Sequence, residues 1–187
     1  MATLANASPW LAAFAALTLA VAALARCGEG LGPRDLGFRG AGRLTVPLAI
    51  VLALFFILVF GPAAYWVLSR LPLGSFGGGA AVLSGLPAWF LALDVVIVAA
   101  SEEWLYRGYA IERLQALTGR PWLAGAISLV VFALAHLPLW GPGVALSTLV
   151  SGGLLTALYL WRRDVLFLIL AHVATDLYGL VLAAPHR

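Results

Sequence analysis

The sequence predicts an all-α polytopic membrane protein, a bundle of about six transmembrane helices, and two observations lead to this prediction. First, 63% of the 187 residues are hydrophobic and 10% are charged, whereas a typical soluble domain is about half apolar and a quarter charged. Second, six apolar segments follow one another along the chain. Because a span needs ~20 apolar residues, six spans occupy ~120 positions and leave the rest for loops and ends. This composition excludes a soluble globular domain.

The six segments are separated by short stretches rich in glycine, proline and arginine. They cover residues 10–25, 46–68, 82–101, 122–140, 142–161 and 165–184. The first segment lacks the basic residues that precede the apolar part of a secretory signal, so we expect an uncleaved first span. Glycine and arginine fill the loop 28–42, and a second loop rich in glycine covers 71–79. Prolines and glycines between residues 138 and 143 divide the uncharged stretch 121–161 into two helices.

Arginine predicts the orientation of the spans, because the cytoplasmic loops of membrane proteins collect basic residues. The chain has eleven arginines and no lysine. Nine arginines follow the first, third and fifth spans, namely Arg26, Arg34, Arg39, Arg43, Arg107, Arg113, Arg120, Arg162 and Arg163, whereas Arg70 and Arg187 lie on the other side. This alternation predicts six spans with both termini outside. Because the arginines lie at the ends of apolar runs, we interpret them as contacts to the lipid bilayer and determinants of topology, and we expect no nucleic-acid partner.

Six ionisable side chains lie inside the apolar segments or at their ends: Asp94, Glu102, Glu103, His136, His172 and Asp176. Inside a bilayer such a group costs several kcal/mol, about 2.5–3.5 on insertion scales, so it faces a cavity or a partner. Glu103 with Arg107, and His172 with Asp176, have the (i, i+4) spacing of neighbours on one helical face. Phe132 lies one turn before His136. Each pair alone is also explained as an ordinary helix-packing contact, and Asp94 is assigned no role.

Taken together in a dry cavity, one carboxylate, two histidines and a further oxygen ligand can do two things. A zinc ion binds through one Glu and two His and keeps a position for water. Alternatively, a Glu acts as general base on a water molecule while the other polar groups stabilise the oxyanion. The sole cysteine, Cys27, excludes an internal disulfide and a thiolate metal cluster.

Counting residues along the helices predicts where this site lies. If the third helix runs to about residue 117 and turns at 118–121, Glu102 and His136 lie side by side in an antiparallel hairpin. His172 lies ~13 Å along its helix from Arg163, and Glu102 lies ~8 Å from Arg107, at 1.5 Å per residue. We therefore expect a polar cavity that opens towards the cytoplasmic side.

Three motifs in this order, Glu102-Glu103-x-x-x-Arg107, Phe132-x-x-x-His136 and His172-x-x-x-Asp176, resemble those of the CAAX protease and bacteriocin-processing (CPBP, also Abi) family of intramembrane endopeptidases. The resemblance covers about residues 85–184. It implies peptide-bond hydrolysis in which Glu102 activates water with help from His136. It also implies that His172 and Asp176 position the substrate and stabilise the oxyanion, and that Glu103, Arg107 and Phe132 are structural support.

The resemblance leaves the cofactor open, because family members are described both as metalloproteases and as metal-independent glutamate proteases. We favour the mechanism without a cofactor, since the site offers few soft ligands and a paired glutamate suits a supported base. Zinc would use Glu102, His136 and His172. Asp176 stands where the family motif often ends in Asn. Since an ionised Asp cannot donate to an oxyanion, Asp176 is either protonated or orients His172.

The resemblance also divides the chain into two parts. Residues 1–81 form a two-helix membrane region with an arginine-rich cytoplasmic loop, and residues 82–187 form the catalytic membrane core. Because only two spans precede the core, we do not extend the resemblance to prenylated CAAX substrates. We expect a multi-pass protein of a bacterial-type plasma membrane that trims peptides, membrane proteins or C-terminal sorting signals.

Two other functions fit parts of the pattern. The intramembrane ionisable groups also suit a proton relay in a small transporter, although the internal repeats common in transporters are not visible here. A non-catalytic scaffold with the same fold is the second alternative, and the presence of every motif residue counts against it.

Overall fold

The computed structural model describes residues 4–73, 83 and 85–182, and its regular elements there are helices. They are α1 Leu4–Ala23, α2 Thr45–Phe55, α3 Gly61–Leu68, α4 Ala88–Glu103, α5 Glu112–Thr118, α6 Pro121–Ala135, α7 Leu137–Arg162 and α8 Val165–Asp176. Wider π-helical segments extend or join them at Leu24–Gly28, Phe56–Phe60, Trp104–Ile111 and Leu177–Leu182, and Pro33–Leu36 forms a 3₁₀ turn. The predicted boundary between residues 81 and 82 lies outside the described residues.

Within the described residues, four helical stretches are long and apolar enough to cross a membrane. They are Ser8–Gly28, Thr45–Leu68, Leu137–Arg162 and Val165–Leu182, and Pro121–Ala135 is a shorter apolar helix. The four stretches coincide with the first, second, fifth and sixth predicted spans. The prediction of an all-α polytopic membrane bundle is therefore confirmed.

The third predicted span differs from the observed helix at both ends. Its predicted start at residue 82 lies outside the described residues, and α4 begins at Ala88, directly after the extended residue Pro87. Gly85 just before has a φ of +94°, a conformation that interrupts a helix. After residue 101 the chain stays helical through Thr118 and turns at Gly119, where φ is +66°. The predicted continuation to about residue 117 and the turn at 118–121 are confirmed.

The break between the fourth and fifth spans comes earlier than the predicted end at residue 140. Helix α6 ends at Ala135, and His136 lies at the junction with α7. Pro138 explains this position, because it has no N–H to donate to the carbonyl of Leu134 and its ring clashes with that carbonyl. A kink follows at Gly141, which has a φ of 80°. The 15 residues of α6 span about 22 Å, which is shorter than the ~30 Å hydrocarbon core.

The connections that carry the arginines meet at one end of the bundle, in a group we call the Glu112 cluster: Arg39, Glu112, Tyr159 and Arg163. Arg39 forms an ion pair with Glu112, and Arg163 donates to Glu112 Oε1 at 2.8 Å. The Tyr159 hydroxyl donates to the same oxygen at 2.6 Å. Because these residues come from the first arginine-bearing loop, from α5 and from the end of α7, the three connections lie on one side, as the alternation predicts.

The first loop is also joined to the start of α8. The N–H of Val165 donates to Gly37 O at 2.8 Å, and the N–H of Gly40 donates to Arg163 O at 3.0 Å. Asp164 caps α8, because its Oδ1 accepts from Phe167 N–H at 3.1 Å while its Oδ2 accepts from the Thr45 hydroxyl at 2.6 Å. Helix α8, which carries His172 and Asp176, is thus fixed at its first turn by α2 and by the arginine-bearing loop that precedes α2.

Candidate active site

The hairpin of α4 to α6 aligns the first two motifs. The rings of Tyr106 and Phe132 lie 4.8 Å apart, and the Ser128 hydroxyl donates to Tyr106 O at 2.7 Å. Glu102 lies four residues before Tyr106, and His136 lies four residues after Phe132. Because the two helices are antiparallel, both residues lie one turn from this pair in the same direction. The observed register is therefore the one that the residue count predicts for Glu102 and His136.

Arg107 is the anchor of the site. Its Nη1 donates to Glu103 Oε1 at 3.0 Å, its Nη2 donates to Gly152 O at 3.4 Å, and its guanidinium carbon lies 4.2 Å from the centre of the Phe132 ring. The side chains of Arg107 and Glu103 are 1% and 0% exposed. A Cβ at Gly152 would lie 3.0 Å from Arg107 Nη2, so a glycine lets α7 come this close. The predicted pair of Glu103 with Arg107 is confirmed, and the part played by Gly152 was missed by sequence reasoning.

His172 lies between two carboxylates. Its Nδ1 is 2.9 Å from Glu103 Oε1, and its Nε2 is 3.4 Å from Asp176 Oδ2. Because a carboxylate oxygen accepts and does not donate, each ring nitrogen is placed to point a hydrogen at a carboxylate. The single oxygen Glu103 Oε1 thus joins Arg107 on the first motif helix to His172 on α8. The predicted neighbours His172 and Asp176 do face each other.

The two adjacent glutamates have different environments. Glu103 is completely buried and holds both Arg107 and His172. Glu102 keeps part of its surface accessible. The side chain of Glu102 makes no hydrogen bond to another of the residues that the structure describes. Since neighbouring residues on a helix point ~100° apart, one glutamate supports the site and the other remains accessible.

His136 ends α6 with one ring nitrogen engaged. Its Nδ1 lies 2.9 Å from Phe132 O, and its ring meets the Phe132 ring edge to face at a centroid distance of 4.7 Å. A carbonyl oxygen accepts a hydrogen bond, so in the neutral ring the hydrogen is on Nδ1 and Nε2 keeps its lone pair. Phe132 thereby contacts both His136 and Arg107, which joins the second motif to the first.

His136, His172 and Asp176 line one open cavity of about 280 Å³. Its other walls come from the stretch Thr45–Leu68 and from α7, including hydroxyl side chains that sequence reasoning missed. Single Ser and Thr residues are common in apolar helices, so no sequence signal distinguished them. Neither Glu102 nor Asp94 is among the residues that line this cavity.

The placement of the histidines and carboxylates bears on whether the site can hold a zinc ion. Among the described residues, no three His, Cys, Asp or Glu side chains are placed to share a metal ion. The proposed ligands Glu102, His136 and His172 therefore do not form a zinc site in this arrangement. Both nitrogens of His172 also face carboxylates, so neither is turned towards a centre shared with Glu102 and His136.

Comparison with known proteins identifies the family. The family model described as "Type II CAAX prenyl endopeptidase Rce1-like" matches residues 84–178, which is just over half of the chain and contains all three motifs. Searches of curated proteins and of solved structures returned no significant match. The matched range also contains α4 to α8, the helices that carry the motif residues. The chain is an integral membrane protein that belongs to the type II CAAX prenyl endopeptidase Rce1-like family, whose members are membrane endopeptidases.

Proposed function

We propose that this chain is an intramembrane endopeptidase that hydrolyses peptide bonds of membrane-associated or membrane-delivered proteins and peptides. The observation that carries the proposal is the convergence of residues on one cavity. His136 and His172 line it from two different helices, and the partly accessible Glu102 lies level with His136 in the hairpin. A general base, a second imidazole and an N–H donor close to one cavity are the parts that water-driven hydrolysis needs.

In the proposed reaction Glu102 is the general base. Its carboxylate takes one proton from a water molecule, and the hydroxide attacks the carbonyl carbon of the scissile bond. His136 orients that water through its free Nε2. When the C–N bond breaks, Glu102 returns the proton to the leaving amine, so the reaction needs no other proton source.

His172 stabilises the oxyanion in this scheme. Its Nε2 hydrogen points towards the cavity-lining Asp176 over a long 3.4 Å contact, so a substrate oxygen can compete for it. We assign Asp176 the role of orienting His172, which is one of the two roles open from the sequence. Glu103, Arg107 and Phe132 support the site. Glu103 contacts His172 and is paired with Arg107, and the Phe132 ring packs against His136.

We propose a mechanism without a metal, and the support for it is the arrangement of His172, whose two nitrogens both face carboxylates. Elemental mass spectrometry of the purified protein checks this independently of activity. Stoichiometric zinc in the wild type that is lost in His136→Ala, with the protein still folded, would overturn the proposal. Zinc well below one equivalent in both proteins is the expected result.

The substrates are peptides, membrane proteins or C-terminal sorting signals. Membrane-protein termini are compared by mass spectrometry in cells that express the wild type, Glu102→Gln or Asp94→Asn at equal abundance. Asp94→Asn is the matched control, because it makes the same change of a carboxyl to an amide on the same helix, about two turns before Glu102. We expect new termini near membrane boundaries in the wild type and the control, and none in Glu102→Gln.

Identical termini in all three strains would contradict proteolysis and favour the scaffold hypothesis. A liposome flux measurement would then test the transporter. Termini that persist in Glu102→Gln but vanish in Glu103→Gln would instead show that the wrong glutamate was assigned as the base.

A further inference from the structure

The donors available to an oxyanion in this cavity are few. His172 can offer the hydrogen of Nε2, because its Nδ1 faces Glu103 Oε1 at 2.9 Å. Asp176, which lies 3.4 Å from that Nε2, accepts hydrogen bonds when it is ionised and has none to give. Enzymes stabilise a developing oxyanion with preorganised donors, and the loss of one donor from such a set is costly. A second donor on the cavity wall would therefore matter to the reaction.

Four hydroxyl side chains line the cavity, and two of them are engaged within their own helices. Ser151 donates to Thr148 O at 3.5 Å, and Thr175 donates to Ala171 O at 2.8 Å. The other two hydroxyls, those of Ser147 and Thr148, make no hydrogen bond to another residue in the part of the chain that the structure describes. Thr148 is the more enclosed of the two, since it is only 8% exposed. Its hydroxyl is thus a buried donor that lines the cavity and is free to bind a ligand.

Thr148 lies level with His136 across the hairpin of α6 and α7. A Cβ at Gly152 would lie 3.3 Å from Phe132 Cδ1, so these two positions face each other. Thr148 lies four residues before Gly152, and His136 lies four residues after Phe132. Because the two helices are antiparallel, both residues lie one turn from this contact in the same direction. The free hydroxyl is therefore placed beside the histidine that is assigned to orient the water.

The same part of α7 is also linked to His172. Arg107 donates to Gly152 O at 3.4 Å and to Glu103 Oε1 at 3.0 Å, and His172 Nδ1 lies 2.9 Å from that oxygen. Thr148, His136 and His172 line one cavity from three helices. A carbonyl oxygen in this cavity can therefore meet donors from α7 and from α8 together.

We propose that Thr148 is a further catalytic residue, whose hydroxyl donates a hydrogen bond to the oxyanion beside the Nε2 hydrogen of His172. It supplies the second donor that an ionised Asp176 cannot supply. This inference rests on the proposed function, because it concerns the same reaction. When hydroxide adds to the carbonyl carbon, the π electrons move onto the oxygen, and they re-form the C=O bond when the C–N bond breaks. Both donors keep their hydrogens throughout.

The test removes the hydroxyl without changing the shape of the side chain. Purified full-length protein in detergent micelles is assayed with a synthetic library of quenched fluorogenic peptides, and kcat and KM are measured on the peptide that the wild type cleaves fastest. We expect Thr148→Val to lower kcat about 100-fold or more with little change in KM, which is the effect of losing one oxyanion donor. Thr148→Ser keeps the hydroxyl and should retain most of the activity.

Thr156→Val is the matched control. It makes the same change on the same helix two turns further along, at a residue that is 6% exposed and does not line the cavity. A Thr148→Val protein as active as this control would overturn the proposal. A loss confined to KM would overturn it as well, since a donor to the oxyanion acts in the transition state. If Thr148→Val does not fold, as judged by its Tm, Thr148→Ala carries the test.

Two other outcomes separate this inference from its neighbours. A loss of kcat in Ser147→Ala with normal activity in Thr148→Val would assign the donor to the adjacent hydroxyl and overturn the proposal. A wild type that cleaves no peptide in the library would contradict the proposed function itself, and the inference would fall with it.

A double variant tests whether Thr148 makes up for the donor that Asp176 lacks. An Asn amide has N–H groups to donate, so Thr148→Val should cost a smaller factor in kcat when it is combined with Asp176→Asn than in the wild type. Equal factors in the two backgrounds would refute this part of the proposal, because they would show that the two side chains act independently.

Discussion

Removal of the Arg107 guanidinium is the sharpest test of how the site is held together. Arg107→Met keeps the length of the side chain but removes its charge and its hydrogen bonds. The change leaves Glu103, which is 0% exposed, without the arginine that balances its charge. Breaking a buried ion pair by removing one partner costs about 3–5 kcal/mol, because a charge stays buried and uncompensated.

The expected loss converts to a measurable shift in the melting temperature. For a chain of 150–250 residues, 1 kcal/mol corresponds to about 2–4 °C, so Arg107→Met should lower Tm by roughly 6–20 °C. Thermal unfolding in detergent, followed by the fluorescence of the seven tryptophans, measures this. The matched control is Arg113→Met. Arg113 faces Glu29 at 3.9 Å with both side chains about one-third exposed, an arrangement worth ~0–1 kcal/mol.

The double variant Glu103→Gln with Arg107→Met decides between pairing and simple packing. If the loss comes from an uncompensated buried charge, removing both charges should restore part of the stability lost in Arg107→Met. An Arg107→Met protein that melts within 2 °C of the Arg113→Met control would refute the reasoning. Full additivity of the two single changes would refute it as well.

Three further predictions concern other parts of the molecule. Gly152→Ala should lower Tm, because its Cβ would lie 3.0 Å from the Arg107 side chain. Gly153→Ala should change Tm little, because its Cβ would lie 3.6 Å from the nearest side chain. Equal shifts would contradict the close approach of α7. Glu112→Gln should cost about 1–3 kcal/mol, since its two arginines and its tyrosine lose a charged acceptor, and a Tm equal to the wild type would show that the Glu112 cluster does not stabilise the fold. The exposed thiol of Cys27 should react with a membrane-impermeant maleimide only after cells are permeabilised. Labelling of intact cells would show that the predicted orientation, with both termini outside, is wrong.

One oxygen atom joins the two halves of the site. Glu103 Oε1 accepts a hydrogen bond from Arg107, one turn further along, and also lies within hydrogen-bond distance of His172, which is 69 residues further along the chain. Glu103 is fully buried, whereas its neighbour Glu102 stays partly accessible, so we expect changes at the two positions to have different effects. A variant of Glu103 is expected to lose both stability and activity, whereas Glu102→Gln is expected to lose activity alone.

Local features of the sequence determined a large part of this description. Composition alone gave the membrane class, because too few charged residues are present to cover a soluble surface. The ion pair of Glu103 with Arg107 and the contact of His172 with Asp176 followed from the (i, i+4) spacing, which any α-helix imposes. The register of the hairpin followed from counting on either side of Gly119.

Tertiary structure decided what helical periodicity leaves open. Spacing shows that Glu102 and Glu103 point in different directions, but only the packing of α8 against α4 determines that Glu103 meets His172. Residues far apart in the chain meet at Gly152, at Glu112 with Arg39 and Arg163, and in the lining of the cavity. In a nearly uniform apolar sequence, one helical face differs little from another, so the rotation of each helix is determined by the few polar contacts and close approaches that form once the helices are packed together.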